Sequence, residues 1–184
     1  IHNIQLTLEP GSITVLMGPS GCGKSTLAKV LLGIWPASQG AVWWGERPLD
    51  AWTPEERGPA VGYLPQDVEL FDGSMADNIA RLSEVDPAKV IEAAKLVGLH
   101  ETILRFPGGY DTPVGAAGGM LSGGQRQRLG LARAVYGNPA LVVLDEPNAN
   151  LDDAGEAALL QALDRLRAQG AAVLTCNHVS FIDP

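Results

Sequence analysis

GPSGCGKST, residues Gly18–Thr26, joins the apolar run SITVLMG to KSTLAKVLLGI, a segment whose apolar residues recur with a helical period. The stretch fits the pattern G-x-x-x-x-G-K-[S/T], in which glycines allow backbone N–H groups to curl around phosphate oxygens. The N-terminus of the following helix adds positive potential at the same place. The sequence therefore predicts a strand, a phosphate-binding loop and a helix, in that order.

Two side chains of this loop have specific roles in such a pattern. Lys24 can reach the β- and γ-phosphates of a nucleotide, and the Ser25 hydroxyl can ligate Mg²⁺. A glycine turn without a ligand is the alternative, although the flanking strand and helix favour the phosphate site. The predicted nucleotide-binding residues are Gly18, Pro19, Ser20, Gly21, Cys22, Gly23, Lys24, Ser25 and Thr26.

A pair of acids follows a second apolar strand in the segment LVVLDEP. Asp145 and Glu146 stand at the carboxyl end of this strand, which is the edge where open α/β sheets bind ligands. Because successive strand side chains point in different directions, one acid can face a metal and the next the γ-phosphate. We expect Asp145 on the metal side and Glu146 as the general base or as the group that positions the attacking water. A strand end that is merely solvated is the alternative.

Apolar strands alternate with helical segments along the chain. Strands are predicted in SITVLMG, AVGYLPQD, ALVVLDEP and AAVLTCNH, and LDDAGEAALLQALDRLRAQG predicts a helix that Asp152 or Asp153 caps and Gly170 ends. IHNIQLTLEP also alternates like a strand, and GAVWWGERPL is typical of a strand or hairpin. This order indicates an α/β fold with a mostly parallel sheet covered on both faces.

The middle of the chain is dominated by helical patterns, SMADNIARL and DPAKVIEAAKLVGLHETILRF. Pro87 is expected just inside a helix that Asp86 caps. We interpret residues 71–136 as a helical subdomain inserted into a core formed by residues 1–70 and 137–184.

Charge and hydropathy exclude several classes of protein. The net charge is −8, from 13 basic and 21 acidic residues, which argues against nucleic acid as the main partner. A local basic cluster of Arg126, Arg128 and Arg133 could still serve phosphates or a neighbouring chain. No apolar run approaches the roughly 18 residues that a membrane span needs, and no signal peptide is visible.

The cysteines and the chain ends give two further expectations. Cys22 and Cys176 form no metal-binding pattern and fit a reducing compartment, the cytoplasm. Because the chain lacks an initiator Met and stops at FIDP, we expect it to be a fragment of a longer protein.

A second glycine-rich turn, LSGGQRQRLG at Leu121–Gly130, runs into another helical segment. The N–H groups of Ser122, Gly123 and Gly124 precede a helix expected to begin near Gln125, and such a group of donors binds anions. A triphosphate on the first loop already has its β-phosphate surrounded, so these donors can address only the γ-phosphate, from the opposite side. Another copy of the chain would supply them, because the insertion holds them away from their own first loop. A helix start without a ligand is the alternative.

Four motifs in one order resemble a known family. GPSGCGKST, YLPQD, LSGGQRQR and LVVLDEP make the chain similar to the nucleotide-binding domain of an ATP-binding cassette (ABC) transporter over essentially its whole length. The runs GYLPQDVELFDGSMADNIARL, RFPGGYDTPVG and LDEPNANLD resemble more narrowly the exporter ATPases of bacterial type I protein secretion systems. The resemblance implies a RecA-like P-loop NTPase core, with the signature motif LSGGQ on the inserted helical subdomain.

The resemblance also implies a head-to-tail homodimer that holds two ATP molecules with Mg²⁺. Each ATP would lie between the first loop of one chain and the signature of the other, which comprises Leu121, Ser122, Gly123, Gly124 and Gln125. The metal ligands would be Ser25, Gln66 and Asp145.

Three residues take further roles from the resemblance. Gln66 would be the Q-loop glutamine that senses Mg²⁺ and the γ-phosphate, although an isolated glutamine here would be an ordinary surface amide. His178, 32 positions after Glu146, would be the switch histidine at the γ-phosphate, and with Glu146 and Gln66 it completes the predicted catalytic set. Asp152 would be the D-loop aspartate at the dimer interface, but capping the next helix explains it equally well.

The implied function is an ATPase that drives an exporter. A transmembrane domain, expected in the same full-length chain, would hold it at the cytoplasmic face of the bacterial inner membrane. Phe71 in VELFDG would contact a membrane-domain helix or pack in the core. The alternatives are a soluble non-transport ABC-type ATPase, a GTPase or small-molecule kinase, and an inactive nucleotide-binding subunit. No N-K-x-D guanine-reading sequence occurs, and the presence of Glu146 and His178 argues against an inactive subunit.

Overall fold

A computed structural model of the protein describes residues 1–115 and 121–177. Its strands are β1 (Ile13–Met17), β2 (Trp43–Trp44), β3 (Arg47–Pro48), β4 (Val61–Leu64), β5 (Leu141–Asp145) and β6 (Ala172–Asn177). Its helices are α1 (Lys24–Leu31), α2 (Pro54–Ala60), α3 (Met75–Ile79), α4 (Pro87–Leu96), α5 (His100–Leu104), α6 (Gly123–Val135) and α7 (Asp153–Ala168). Two 3₁₀ turns span Leu49–Ala51 and Gly109–Asp111.

Four parallel strands form the main sheet, in the order β1-β6-β5-β4. They are the four apolar segments that the sequence predicts, and the register pairs Val15 with Thr175 and Val143 with Leu174. Helix α7 connects β5 to β6, because parallel neighbours need a long crossover between them. The predicted α/β fold with a mostly parallel sheet is confirmed.

The two faces of the sheet carry different helices, because side chains alternate along each strand. One face packs against α1 and its C-cap in a small core formed by Ala28, Leu32, Val143, Leu174 and Cys176. The other face joins helices α3 to α7 in the larger core, whose members include Leu64, Met75, Val90, Leu129, Val142, Leu144 and Leu166. The sheet therefore carries helices on both sides, which explains why its strands are apolar almost throughout. The exception is the edge strand β1, where Val15 and Met17 are 48% and 46% exposed.

Two predicted helix starts can be compared with the structure. The Asp86 carboxylate accepts the N–H groups of Ala88 and Lys89 at 3.0 and 3.3 Å, which confirms the predicted cap of α4. At α7 the cap is Asp152, whose Oδ1 accepts the N–H of Gly155 at 2.8 Å, and Asp153 is already the first helical residue.

The predicted strand in IHNIQLTLEP is wrong. The segment has no ladder partner among the described residues, and its apolar side chains Ile1, Ile4 and Leu6 are exposed. A strand needs a neighbour that takes its backbone hydrogen bonds, and an alternating pattern does not report whether a neighbour exists. The hairpin expected in GAVWWGERPL is present as β2 and β3, with two residues in each strand.

Helix α2 was not predicted from the sequence. Thr53 and Glu56 form a capping box at its start, and Pro54 is in its first turn. None of its residues is buried, so the chain shows no apolar stripe that would have indicated a helix.

Helices α3 to α6 lie between β4 and β5 in the chain and pack on the sheet through the larger core. The division into a core of 1–70 and 137–184 and an inserted subdomain of 71–136 stays a prediction. Among the helices of residues 1–115 and 121–177, none has both the length and the apolar character that crossing a bilayer requires.

Candidate functional site

The parallel strands end at one common edge of the sheet. Their register places Met17 beside Asn177, and Cys176 beside Asp145. The segments that follow β1, β4 and β5 therefore leave the sheet at the same edge. These are the first glycine-rich loop, the stretch that carries Gln66, and the acid pair. Sheets of this kind bind ligands at this carboxyl edge.

The loop after β1 curls over the start of α1. Gly21 and Gly23 have φ angles of 78° and 101°, a left-handed conformation in which a side chain would be strained. Lys24 Nζ donates to the carbonyl oxygens of Gly18 and Pro19 at 2.7 and 3.1 Å, so the ammonium group is held against the loop. The first turn of α1 contains no acidic residue. The positive end of this helix and the ammonium group therefore converge where a phosphate chain would bind.

Asp145 lies on the face of the sheet that α1 covers, and it is 2% exposed. Burial, and then the negative charge of Asp145, raise the pKa of Tyr63 to about 12. The same two causes raise the pKa of the Cys176 thiol to about 12. Both neighbours, Tyr63 and Cys176, are therefore neutral at physiological pH.

Glu146 leaves the sheet directly after β5, with a φ of 51°. Its N–H donates to the Cys176 carbonyl at 2.9 Å, which ties it to β6. The side-chain amide of Gln66 donates through Nε2 to Glu146 Oε2 at 3.2 Å. Two of the three predicted catalytic residues, 80 positions apart in the chain, are thus in direct contact.

A residue that the sequence reasoning missed supports Glu146 from the other face of the sheet. Gln127 of α6 is 3% exposed, and its Nε2 donates to the carbonyl oxygens of Glu146 and Pro147 at 3.3 and 3.4 Å. The signal in the sequence was a glutamine on the apolar side of a helix, since Gly130 and Leu131, three and four positions further along the same helix, are also buried.

The signature turn begins α6 with a capping box. Ser122 Oγ accepts the N–H of Gln125 at 3.2 Å, and Gln125 Oε1 accepts the N–H of Ser122 at 2.9 Å. The helix therefore begins at Gly123 rather than near Gln125, and the Ser122 N–H is engaged within the chain. Gly123 and Gly124 occupy the first turn, where N–H groups have no intrahelical acceptor, so they remain the donors suited to an anion.

The segment that follows Glu146 packs on the first two turns of α6. A Cβ at Gly124 would lie 2.8 Å from the carbonyl oxygen of Asn150, so only glycine permits this approach. Asp152, besides capping α7, accepts a hydrogen bond from Arg128 Nη2 at 2.9 Å. The helix-capping explanation of Asp152 is therefore confirmed, and its role at a dimer interface stays a prediction.

The basic cluster is engaged largely within the chain. Arg133 donates to Asn78 Oδ1 at 2.8 Å and to the Glu69 carbonyl at 2.9 Å, and its guanidinium lies 4.7 Å from the centroid of the Phe71 ring. Arg128 is paired with Asp152. Phe71 itself is 45% exposed, so it is a surface residue and not part of the core.

The predicted metal ligands fit Mg²⁺ bound together with a nucleotide. The described residues contain no group of three or more His, Cys, Asp or Glu side chains that could hold a metal ion. Ser25, Asp145 and Gln66 offer a hydroxyl, a carboxylate and an amide oxygen instead, and Mg²⁺ is usually bound by one or two carboxylates together with substrate phosphates. His178 lies outside the described residues, and its role stays a prediction.

Comparison with known proteins points to one family. Residues 1–149 match the family model described as ABC transporter. The chain is 48% identical to the type I secretion system ATP-binding protein PrsD of Rhizobium meliloti (strain 1021), over 97% of this chain and 31% of that protein. It is 43% identical to the mycobactin import ATP-binding/permease protein IrtA of Mycolicibacterium smegmatis, over 99% of this chain and 21% of that protein.

A solved structure gives the same result. A bacterial Atm1-family ABC exporter with ATP bound superposes with a TM-score of 0.83 at 32% identity, over 93% of this chain and 30% of that chain. The ATP-dependent lipid A-core flippase of Saccharophagus degradans is 37% identical, over 97% of this chain and 30% of that protein. The chain thus spans less than a third of the length of each of these relatives.

Proposed function

Because the chain is an ATPase domain of the ABC transporter family, we propose that it binds Mg-ATP between two copies and hydrolyses it to drive an exporter. One observation carries this proposal. The loop with Lys24, the buried Asp145 and the Glu146–Gln66 contact all lie at the carboxyl edge of one sheet. Phosphate binding, metal binding and water activation need these groups at one place.

The first loop and α1 hold the triphosphate. Lys24 Nζ exchanges its carbonyl partners in the loop for phosphate oxygens, and the loop N–H groups surround the β-phosphate. Ser25 and Asp145, with the amide oxygen of Gln66, would hold the Mg²⁺. When bound, the metal neutralises the charge that develops on the phosphates.

Glu146 directs the attacking water. Its carboxylate accepts a hydrogen bond from Gln66 Nε2 at 3.2 Å, and a water attacking the γ-phosphate would be in reach of both groups. Gln66 is proposed to sense the nucleotide, because its amide oxygen would bind the metal while its Nε2 contacts Glu146. His178 is proposed as the switch histidine at the γ-phosphate.

A second chain completes each site. The first-turn donors at Gly123 and Gly124, with Ser122 and Gln125 around them, present the positive end of α6. This turn packs on its own chain through Asn150, on the side of the sheet opposite α1. The partner's first loop is the site it serves, and loss of the γ-phosphate then allows the pair to reopen.

The transported cargo is proposed to be a protein or peptide, as in type I secretion. The support is the 48% identity to PrsD. The matched lipid flippase and mycobactin import protein show that related chains serve other cargoes. A soluble non-transport ABC-type ATPase is the second candidate.

Contact with a transmembrane domain is proposed at the segment after Gln66. Phe71 is 45% exposed, and the Arg133 guanidinium lies over its ring, so the ring presents an apolar contact at the surface. In the full-length protein this contact would hold the domain at the cytoplasmic face of the membrane.

Complementation between two inactive variants tests the shared site. Lys24→Ala removes the phosphate contact of the first loop, and Ser122→Arg blocks the signature, so each variant alone should lose nearly all ATP hydrolysis. In mixed pairs, the intact loop of one chain meets the intact signature of the other. Mixing should therefore recover a fraction of wild-type turnover, at most one site per pair.

Each variant purified alone is the control for this experiment. Absence of any recovery, in mixtures shown by differential tagging to contain mixed pairs, would contradict a site shared by two chains. Full turnover by Ser122→Arg alone would remove the signature from the mechanism.

A further inference from the structure

Glu146 has a backbone conformation that its side chain does not favour. Its φ of 51° lies in the left-handed region, where L-residues other than glycine, asparagine and aspartate are uncommon. Such a conformation persists only where surrounding contacts over-determine it. The direction of the Glu146 carboxylate therefore depends on whatever holds this backbone.

Three contacts hold the turn around Glu146. Its N–H donates to Cys176 O at 2.9 Å, and its carbonyl accepts the N–H of Ala149 at 3.0 Å. The third contact is the Gln127 amide, which bridges the consecutive carbonyl oxygens of Glu146 and Pro147 at 3.3 and 3.4 Å. Only Gln127 among them comes from a different layer of the fold, helix α6.

Gln127 is almost fully buried, at 3% exposed, on a helix whose Leu129 and Leu131 belong to the larger core. A buried polar side chain that fills space alone would be replaced at no cost by an apolar one of similar length, whereas an amide that orients two carbonyls would not. The helix that carries it starts at the signature, and its next residue, Arg128, is bonded to Asp152. The stretch from Glu146 to Asp152 is thus attached to α6 at both ends.

We propose that Gln127 is a positioning residue for ATP hydrolysis, which fixes the backbone of Glu146 so that its carboxylate faces Gln66 and the attacking water. This inference rests on the proposed role of Glu146. It adds that the signature helix and the general base of one chain are joined by a single side chain. Gln127 itself contacts neither nucleotide nor water.

Substitution of Gln127 by Met in the full-length protein tests the proposal. Met keeps the length and volume of the side chain and removes both hydrogen bonds. Because misplacing a reacting group by about 1 Å costs roughly a hundredfold in rate, we expect kcat to fall by about tenfold to a hundredfold. ATP affinity, measured with a fluorescent ATP analogue, should stay close to wild type, because the first loop is untouched. Tm should fall by a few degrees at most, because Met leaves the carbonyl oxygens of Glu146 and Pro147 without the Gln127 amide.

Gln161→Met is the matched control, since Gln161 lies on the exposed side of α7 and the same chemical change there should alter neither kcat nor affinity. A Gln127→Met protein with kcat within about twofold of wild type would overturn the proposal. So would a parallel loss of ATP affinity and kcat, which marks general damage.

If the Met variant does not fold, kcat is measured on Gln127→Asn instead. Asn keeps the polar group but is too short to reach both carbonyls. Loss of the folded state in both variants would assign Gln127 to core packing and reject the positioning role. Glu146→Gln, prepared in the same way, distinguishes the proposed role of Glu146 as the base from the proposed role of Gln127 in positioning it. Normal turnover in that variant rejects the proposed base, whereas an inactive Glu146→Gln beside a fully active Gln127→Met rejects only the role of Gln127.

Discussion

Asp145 and Glu146 are adjacent in the sequence, yet the fold gives them different surroundings. Asp145 ends β5 and is buried on the α1 face, where burial, and then the charge of Asp145, raise the pKa of Tyr63 and of Cys176. Glu146 has already left the sheet, and its carboxylate meets Gln66. The alternation of a strand was enough to predict that the two acids would separate.

The two cysteines also differ in their exposure to solvent, and this difference predicts which of them reacts. Cys22 is exposed in the first loop, whereas Cys176 is buried in β6 with its thiol pKa raised to about 12. A maleimide should therefore label one thiol per native chain, at Cys22, because the thiolate is the reactive form. Saturating Mg-ATP should slow this labelling about tenfold by occupying the loop.

Cys22→Ala is the control, and this variant should remain unlabelled as long as it is folded. Rapid labelling of Cys176 would contradict its burial in β6. A Cys22 labelling rate that ATP leaves unchanged would place the nucleotide elsewhere. Mass spectrometry of the digested protein identifies the labelled residue.

Residues that act through the backbone were the ones that the sequence could not identify. Motif patterns assign side chains that touch ligands, such as Lys24 and Ser25. Gln127 acts on two carbonyl oxygens of a segment 19 and 20 positions away, and Arg128 acts on a cap of another helix. No local pattern encodes these distances, because they follow from how α6 packs on the end of β5.

At the scale of elements, α6 contributes to several parts of the site. Its first turn carries the signature, its second turn holds Glu146 and Asp152, and its last turn packs on β4. The sequence predicted the helix and its role at an anion site. The helix starts at Gly123 and not near Gln125, because Ser122 and Gln125 form the two reciprocal hydrogen bonds of a capping box.

The contact between α6 and β4 gives a stability prediction. A Cβ at Gly62 of β4 would lie 1.8 Å from the carbonyl oxygen of Ala134, a fixed backbone atom. Gly62→Ala should therefore force the helix off the sheet and destabilise the protein by about 2–3 kcal/mol. Thermal unfolding should show a fall in Tm of about 5–10 °C.

Gly58→Ala is the matched substitution, because a Cβ at Gly58 in α2 meets nothing within 4 Å. Its Tm should be unchanged or slightly higher, since alanine favours a helix. Equal Tm values for the two variants would show that α6 does not pack on β4 at this distance.

Periodicity predicted elements well where both faces of a strand are buried. It failed for residues 1–10, where alternation is present but no neighbouring strand is found among the described residues, and for α2, which has no buried residue. In both cases the missing information is the presence or absence of a packing partner.

At the scale of the whole molecule, the sheet separates the two glycine-rich turns that are predicted to bind ATP. The first loop and α1 lie on one face, and the signature helix with α7 lies on the other. The order of motifs along the chain predicted both turns and the shared use of ATP. The sequence could not show that the sheet lies between the first loop and the signature helix, because the strand order β1-β6-β5-β4 is fixed only by tertiary packing.

The measurement that tests the two-chain site most directly is the molecular mass of Glu146→Gln in solution, by light scattering, with and without Mg-ATP. The domain is prepared with the flanking sequence of its full-length protein, and Ser122→Arg in the same background is the control. We predict a shift from one chain to two on adding ATP, with two nucleotides per pair, and no shift in the control. A mass of one chain at saturating ATP, with nucleotide bound, would contradict the account.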